Sequence, residues 1–116
     1  MKEELIKRTK KFALSVMDFV DVLPNNSKGK VLGNQLLRSA TSVGANYRAA
    51  NRGRSRAEFI AKIGIVEEEA DESCYWLELM IEGKLVKKED AESLLEEATQ
   101  LTKIFAATHI SAKNNR

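Results

Sequence analysis

The chain has 116 residues, close to the commonest domain size and enough for one hydrophobic core, so we expect a single domain. Its first residues include acids and no apolar core segment, so we expect no signal peptide, and no stretch is apolar enough to suggest a membrane span. Because there is one cysteine, an intramolecular disulfide is excluded and the cytoplasm is the expected compartment.

Charge is segregated along the chain, although the net charge is only +2. Residues 28–62 contain eight Lys or Arg and one acid, whereas residues 67–97 contain twelve acids and three lysines. Such asymmetry indicates an electrostatic partner for each half: nucleic acid or an acidic protein for the first, a basic surface for the second. An equal alternative is that the two halves face each other between subunits.

Hydrophobic periodicity predicts four helices, at about residues 3–23, 30–51, 55–83 and 88–112. On the first helix, Ala13 and Met17 widen an apolar face, and Pro24 ends the helix because proline cannot continue the hydrogen-bond ladder. Residues 25–29 have the composition of a turn. The main apolar face of this helix consists of Leu5, Phe12, Val16, Phe19, Val20 and Leu23.

The other three helices carry distinct local signals. Small residues around Gly44 keep the second helix slim, which favours close approach by a neighbour. Ser55 and Glu58 form a capping box at the start of the third, and Gly83 closes it as a C-cap. Besides its core stripe, the third helix carries a second, partly apolar line along Ile65, Glu69, Glu72, Trp76 and Leu79.

Four amphipathic helices with short connections predict an all-α fold, an antiparallel up-down-up-down four-helix bundle. The fourth helix has a regular stripe from Ala91 to Ala112 and acids in its first turn, where the helix dipole favours them. Apolar surface on the first helix and on the second line of the third exceeds what one bundle buries. We therefore predict a homo-oligomer.

A series of residues in the second and third helices is similar to that of a known family. The series consists of Gln35-Leu36-Leu37-Arg38-Ser39, Ser42-Val43-Gly44-Ala45-Asn46-Tyr47-Arg48, Ser55, Phe59, Lys62, Glu69-Ala70-Asp71-Glu72 and Tyr75-Trp76-Leu77. Its order and spacing resemble those of the 23S rRNA intervening-sequence proteins, a family of four-helix bundles. The lengths of the first and fourth helices also fit.

This resemblance implies a cytoplasmic bacterial bundle that assembles as a homopentamer, in a family whose biochemical role is largely unassigned. A similar bundle, the accessory protein of diversity-generating retroelements, is a basic pentamer that binds nucleic acid and a reverse transcriptase. The family often has Glu soon after its Asn-Tyr-Arg run, where this chain has Ala49 and Ala50. The connection between the second and third helices therefore carries more positive charge here than is usual in the family.

The strongest candidate binding residues are the basic ones around the connection between the second and third helices: Arg48, Arg52, Arg54, Arg56 and Lys62. Arginine offers a fork of donors that fits phosphate, and a ring of subunits would repeat the cluster. The cluster predicts binding of RNA or another nucleic acid. The alternative is that these residues only solvate a tight turn, or pair with the acidic helix of a neighbouring subunit.

A second constellation consists of Arg38, Glu69 and Glu72, because folding the helix pair about its connection brings Arg38 level with Glu69. We predict a structural ion pair, beside the core or between subunits, and we expect neighbouring Trp76 to pack instead of stacking on bases. If the site is dry, breaking the pair would cost about 3–5 kcal/mol. Cys74 is expected to be buried and unreactive, and His109 to be solvated.

An enzyme must also be considered, because Glu69-x-x-Glu72 and Glu89-x-x-Glu92 are similar to the paired carboxylates of all-helical magnesium-dependent nucleotide hydrolases. Glu89 and Glu92 occupy a helix start, however, where acids are favoured anyway. We predict no catalytic residue, no metal site and no cofactor. The expected function is nucleic-acid binding or scaffolding of a nucleic-acid-processing protein. The alternatives are a protein-interaction scaffold and, remotely, the hydrolase.

Overall fold

The structure, a computed structural model, describes residues 1–114. Within them the fold is all-α with no strand, as predicted, and it measures 48 × 22 × 20 Å. The four helices are α1 (Lys2–Asp21), α2 (Ser27–Ala50), α3 (Arg56–Glu82) and α4 (Lys88–Asn114). Each helix packs against the next along the chain, and α4 also meets α1 more sparsely. None of these helices has the length and apolarity that crossing a bilayer requires.

The core is built from the apolar stripes that the periodicity predicts. Phe105 of α4 is fully buried and its ring lies 5.1 Å from that of Tyr47 on α2, in a tilted arrangement. Two members of the core were not predicted: Met80, and Thr9, whose hydroxyl donates to the Leu5 carbonyl at 2.8 Å. A buried hydroxyl that donates to its own helix is satisfied, so Thr9 does not weaken the core.

α2 begins three residues earlier than predicted. Asn26 adopts an extended backbone conformation, and its side-chain oxygen accepts a hydrogen bond from the Gly29 amide at 2.9 Å. The second half of the predicted turn is therefore the first turn of the helix. Gly29 is buried. Its backbone lies so close to the preceding segment that an added Cβ would be 2.0 Å from the Pro24 carbonyl oxygen. Only glycine allows this close approach of the chain.

The ends of α3 differ in detail from the predicted caps. Ser55 accepts from the Glu58 amide at 3.1 Å, as a capping box requires, but the Glu58 carboxylate accepts from the Arg54 amide at 2.9 Å and not from that of Ser55. At the other end Gly83 donates to the Leu79 carbonyl with φ of −79°. The left-handed residue is Lys84, with φ of 58°. Lysine therefore occupies the position at which glycine is usual.

Several large apolar side chains remain at the surface of the molecule. Met17, expected to widen the core face of α1, is instead 47% exposed, since α1 packs mainly on α2 and only sparsely on α4, so its buried face is narrower than predicted. On the second line of α3, Ile65 is 37% exposed whereas Trp76 and Leu79 are half-buried. The other exposed apolar side chains include Leu14, Val22, Val31, Tyr75 and Ile110.

Candidate functional site

The predicted basic residues lie where α2 ends and α3 begins. Arg48 is in the last turn of α2, Arg52 and Arg54 are in the connecting loop, and Arg56 is the first residue of α3. These four arginines are exposed, whereas Lys62 is half-buried further along α3. In the part of the chain that the structure describes, none of the five lies within salt-bridge distance of a carboxylate. No carboxylate therefore neutralises these five side chains within the described residues.

The five residues do not form one cluster. Arg56 points to the end of α4, where its guanidinium donates to the Ala112 carbonyl at 3.0 and 3.3 Å. A cation is favoured there because the last carbonyls of a helix lack backbone partners. Lys62 falls on the same line of α3 as Glu69, at helical spacing. Only Arg48 and Arg52 line a common groove.

This groove follows the seam between α1 and α2 and has a volume of about 520 Å³. Arg48 and Arg52 contribute two cations from the α2 side, and Lys2 and Lys10 contribute two from α1. None of its eleven lining residues is acidic. We call it the α1–α2 groove. Four cations around an acid-free concavity favour an anionic ligand, since nothing within the groove neutralises them.

Between the cations the α1–α2 groove is lined mainly by small or apolar groups, among them Ile6, Ala13 and Ala45. The hydroxyl of Thr41 donates to its own helix, to the Leu37 carbonyl at 2.7 Å. The residues most able to hold a charged ligand are therefore the four basic ones. Of these, Lys2 and Lys10 were not predicted from the sequence. The available signal was their helical spacing with Ile6 and Ala13, which puts all four on one side of α1.

The second constellation forms between α2 and α3 of the same chain. Arg38 donates to both carboxylate oxygens of Glu69, at 3.2 and 3.3 Å, and to the Glu72 carboxylate. Glu72 also accepts from the Trp76 indole at 3.2 Å, and the Trp76 ring meets that of Tyr75 edge-on at 5.2 Å. The hydrogen bond to Glu72, with the nearby Glu69 charge, raises the pKa of Arg38 above its usual value, although burial opposes the shift. These contacts occupy both carboxylates.

The ion pairs of Arg38 with Glu69 and Glu72 are solvent-accessible, because the Arg38 side chain is 50% exposed. We therefore expect Arg38→Gln to lower the free energy of unfolding by only about 0.2–1 kcal/mol, the range of exposed ion pairs, and not by the larger cost of a dry one. Urea denaturation with light scattering measures this. Arg8→Gln is the matched control, since Arg8 binds Glu97 between α1 and α4 at 2.7 Å with 34% exposure. A loss of several kcal/mol confined to Arg38→Gln would contradict the expectation.

The side chains of Cys74 and His109 could carry chemistry, but both pack among neighbouring residues. Burial raises the pKa of the Cys74 thiol, and its sulfur lies 3.7 Å from the hydroxyls of Thr99 and Thr102. His109 is not simply solvated as expected, because its side chain is 25% exposed, packs over Gly64 and lies 3.3 Å from Glu67. Among residues 1–114, no three His, Cys, Asp or Glu side chains form a group that could hold a metal ion.

Comparisons with known proteins extend these observations. A family model described as 23S rRNA-intervening sequence protein matches residues 1–107. Among solved structures, a protein of unknown function from the S23 ribosomal protein family of Bacteroides thetaiotaomicron is 36% identical in sequence. The match covers 94% of this chain and 98% of that chain, with a TM-score of 0.85. No curated protein matches the sequence.

Proposed function

The chain belongs to the 23S rRNA-intervening sequence protein family, and on that premise we propose that it is a non-enzymatic, cytoplasmic homo-oligomer that binds RNA or another nucleic acid. The observation that carries the proposal is the set of basic residues around the α2–α3 connection, whose side chains form no ion pair with a carboxylate within residues 1–114. Unneutralised arginine and lysine on a surface provide the sequence-independent part of nucleic-acid affinity.

The arrangement we propose is an antiparallel up-down-up-down bundle. Contacts between neighbouring helices support it, because the residue numbers that meet run in opposite directions. Along the α3–α4 seam, Arg56 meets Ala112, whereas Cys74 meets Thr99 and Thr102. Along the α1–α2 seam, Thr9 lies beside Gly44, and the Leu23 side chain lies beside Gly33.

The proposed assembly is a homo-oligomer, with five copies in a ring as the resemblance to the family implies. Support comes from exposed apolar side chains that a single subunit leaves in water, such as Tyr75 at 52% and Ile110 at 61%. Burying such groups against a second copy recovers part of the hydrophobic free energy. A ring repeats the basic surface once per subunit, and so raises its affinity for a long polyanion through multivalency.

The absence of catalysis is part of the proposal and rests on how the paired carboxylates are used. Glu69 and Glu72, the pair that suggested a magnesium site, both bind Arg38. A metal ion at this position would have to displace a guanidinium that already neutralises them. Assay of nucleoside triphosphates with magnesium checks this part, and hydrolysis abolished by Glu69→Gln would overturn it.

The test of nucleic-acid binding is a titration of labelled ribosomal RNA fragments with the purified protein over a series of salt concentrations. We expect the logarithm of the affinity to fall linearly with the logarithm of the salt concentration, because phosphate contacts release counterions. Light scattering on the same samples measures the number of subunits. Weak binding without salt dependence would reject the nucleic-acid proposal and leave a protein-interaction scaffold. A stable monomer would reject the ring.

A further inference from the structure

We propose that the α1–α2 groove is where the nucleic acid binds, and that it holds one single strand with its phosphates on Lys2, Lys10, Arg48 and Arg52. This inference rests on the proposed function and names the site and the class of ligand. It moves the interface away from the α2–α3 connection itself. Arg54 and Arg56 do not line the groove, and Arg56 already binds the Ala112 carbonyl.

The position of the cations along the groove suits a strand. Lys2 and Lys10 are eight residues apart on α1, which is about 12 Å along the helix axis. Arg48 and Arg52 are one turn apart on the opposite wall, at the end of α2 and in the loop after it. At the rise of about 3.4 Å per nucleotide of a stacked strand, this length spans about three to four nucleotides. Each phosphate can then lie near at least one cation.

The shape and lining of the groove favour a single strand over a duplex. The cations surround a concave surface that includes Ile6, Ala13 and Ala45, so a ligand must bend into it to reach all four charges. A flexible strand can do so and bury the apolar faces of its sugars and bases there, whereas a stiff duplex presents its phosphates on a convex surface. No aromatic residue lines the groove. We therefore expect little base preference and strong salt dependence.

The test compares two double variants of the full chain that remove the same charge from the same helix. Lys2→Gln/Lys10→Gln removes two groove cations, whereas Lys7→Gln/Lys11→Gln removes two exposed lysines that do not line the groove. A short fluorescent single-stranded RNA of mixed sequence, and a duplex of the same sequence, are the probes. Fluorescence anisotropy measures affinity across the salt series, and light scattering measures the oligomeric state.

Four phosphate contacts by a single strand predict that affinity falls about 50-fold between about 50 and 200 mM salt, for the unaltered protein and for the control variant. With two contacts left, Lys2→Gln/Lys10→Gln should lose only about 7-fold over the same range, from a lower starting affinity. The single strand should bind more tightly than the duplex. This combination of results supports the groove as the binding site.

Three results would overturn the inference. If both double variants behave alike while the unaltered protein binds, nucleic acid binds elsewhere and only the groove assignment fails. If the duplex binds more tightly than the strand, the ligand class is wrong. If Lys2→Gln/Lys10→Gln changes the number of subunits, the groove is a contact between copies. Absence of binding by the unaltered protein would instead reject the proposed function itself.

Discussion

Reversing the charge of two arginines, in Arg48→Glu/Arg52→Glu, is expected to lower the affinity for single-stranded RNA by more than about 25-fold at about 0.1 M salt. Loss of two phosphate contacts alone costs about 25-fold at that salt concentration through counterion release, and the introduced carboxylates also repel the phosphates. Both side chains are exposed and line the α1–α2 groove, so the core should be unaffected. Fluorescence anisotropy measures the affinity.

The matched control for this prediction is Lys28→Glu/Lys30→Glu. Both lysines are exposed on α2, near the opposite end of the helix, so the control changes the net charge by the same amount. Far-UV circular dichroism checks that both variants keep their helices. Because Arg48 lies in the last turn of α2, its reversal should cost at most about 1 kcal/mol of helix stability through the dipole. Equal loss of affinity in both variants would show that net charge, and not this surface, governs binding.

Gly29→Ala is expected to lower the free energy of unfolding by about 1–3 kcal/mol, the cost of forcing atoms into occupied space. An added Cβ would lie 2.0 Å from the Pro24 carbonyl oxygen and 3.1 Å from its carbon. Because these are backbone atoms, the loop between α1 and α2 must move and the Asn26 cap is strained with it. Urea denaturation followed by circular dichroism measures the loss.

Gly44→Ala is the same substitution at a site in α2 where the added methyl has room. Its nearest neighbours there would be backbone and side-chain atoms of Thr9 at 3.5 Å, an ordinary contact distance. Alanine is favoured over glycine within a helix by about 1 kcal/mol, so this variant should be more stable than the unaltered protein. Effects of the same sign at both positions would show that the approach of Pro24 to Gly29 does not govern the stability of α2.

Gly29 and Gly44 also show which close contacts the sequence predicts and which it does not. The sequence predicts that Gly44 lies where another helix passes, and Thr9 of α1 does lie beside it. It does not predict the role of Gly29, which it places in a turn. The reason is that the Asn26 cap and the Pro24 carbonyl act together, across a loop whose path depends on the packing of α1 on α2. Cap signals identify the start of a helix only when the competing turn signals are weaker.

Sequence alone determined the helical fold, the stripes that form the core and the serine that starts α3, because these depend on spacing within a single helix. Only the tertiary structure decided which charged side chains meet. The rotation and stagger of each helix are set by how buried side chains interlock between helices. That packing brings Lys2 and Lys10 beside Arg48 and Arg52, and turns Arg56 towards the end of α4.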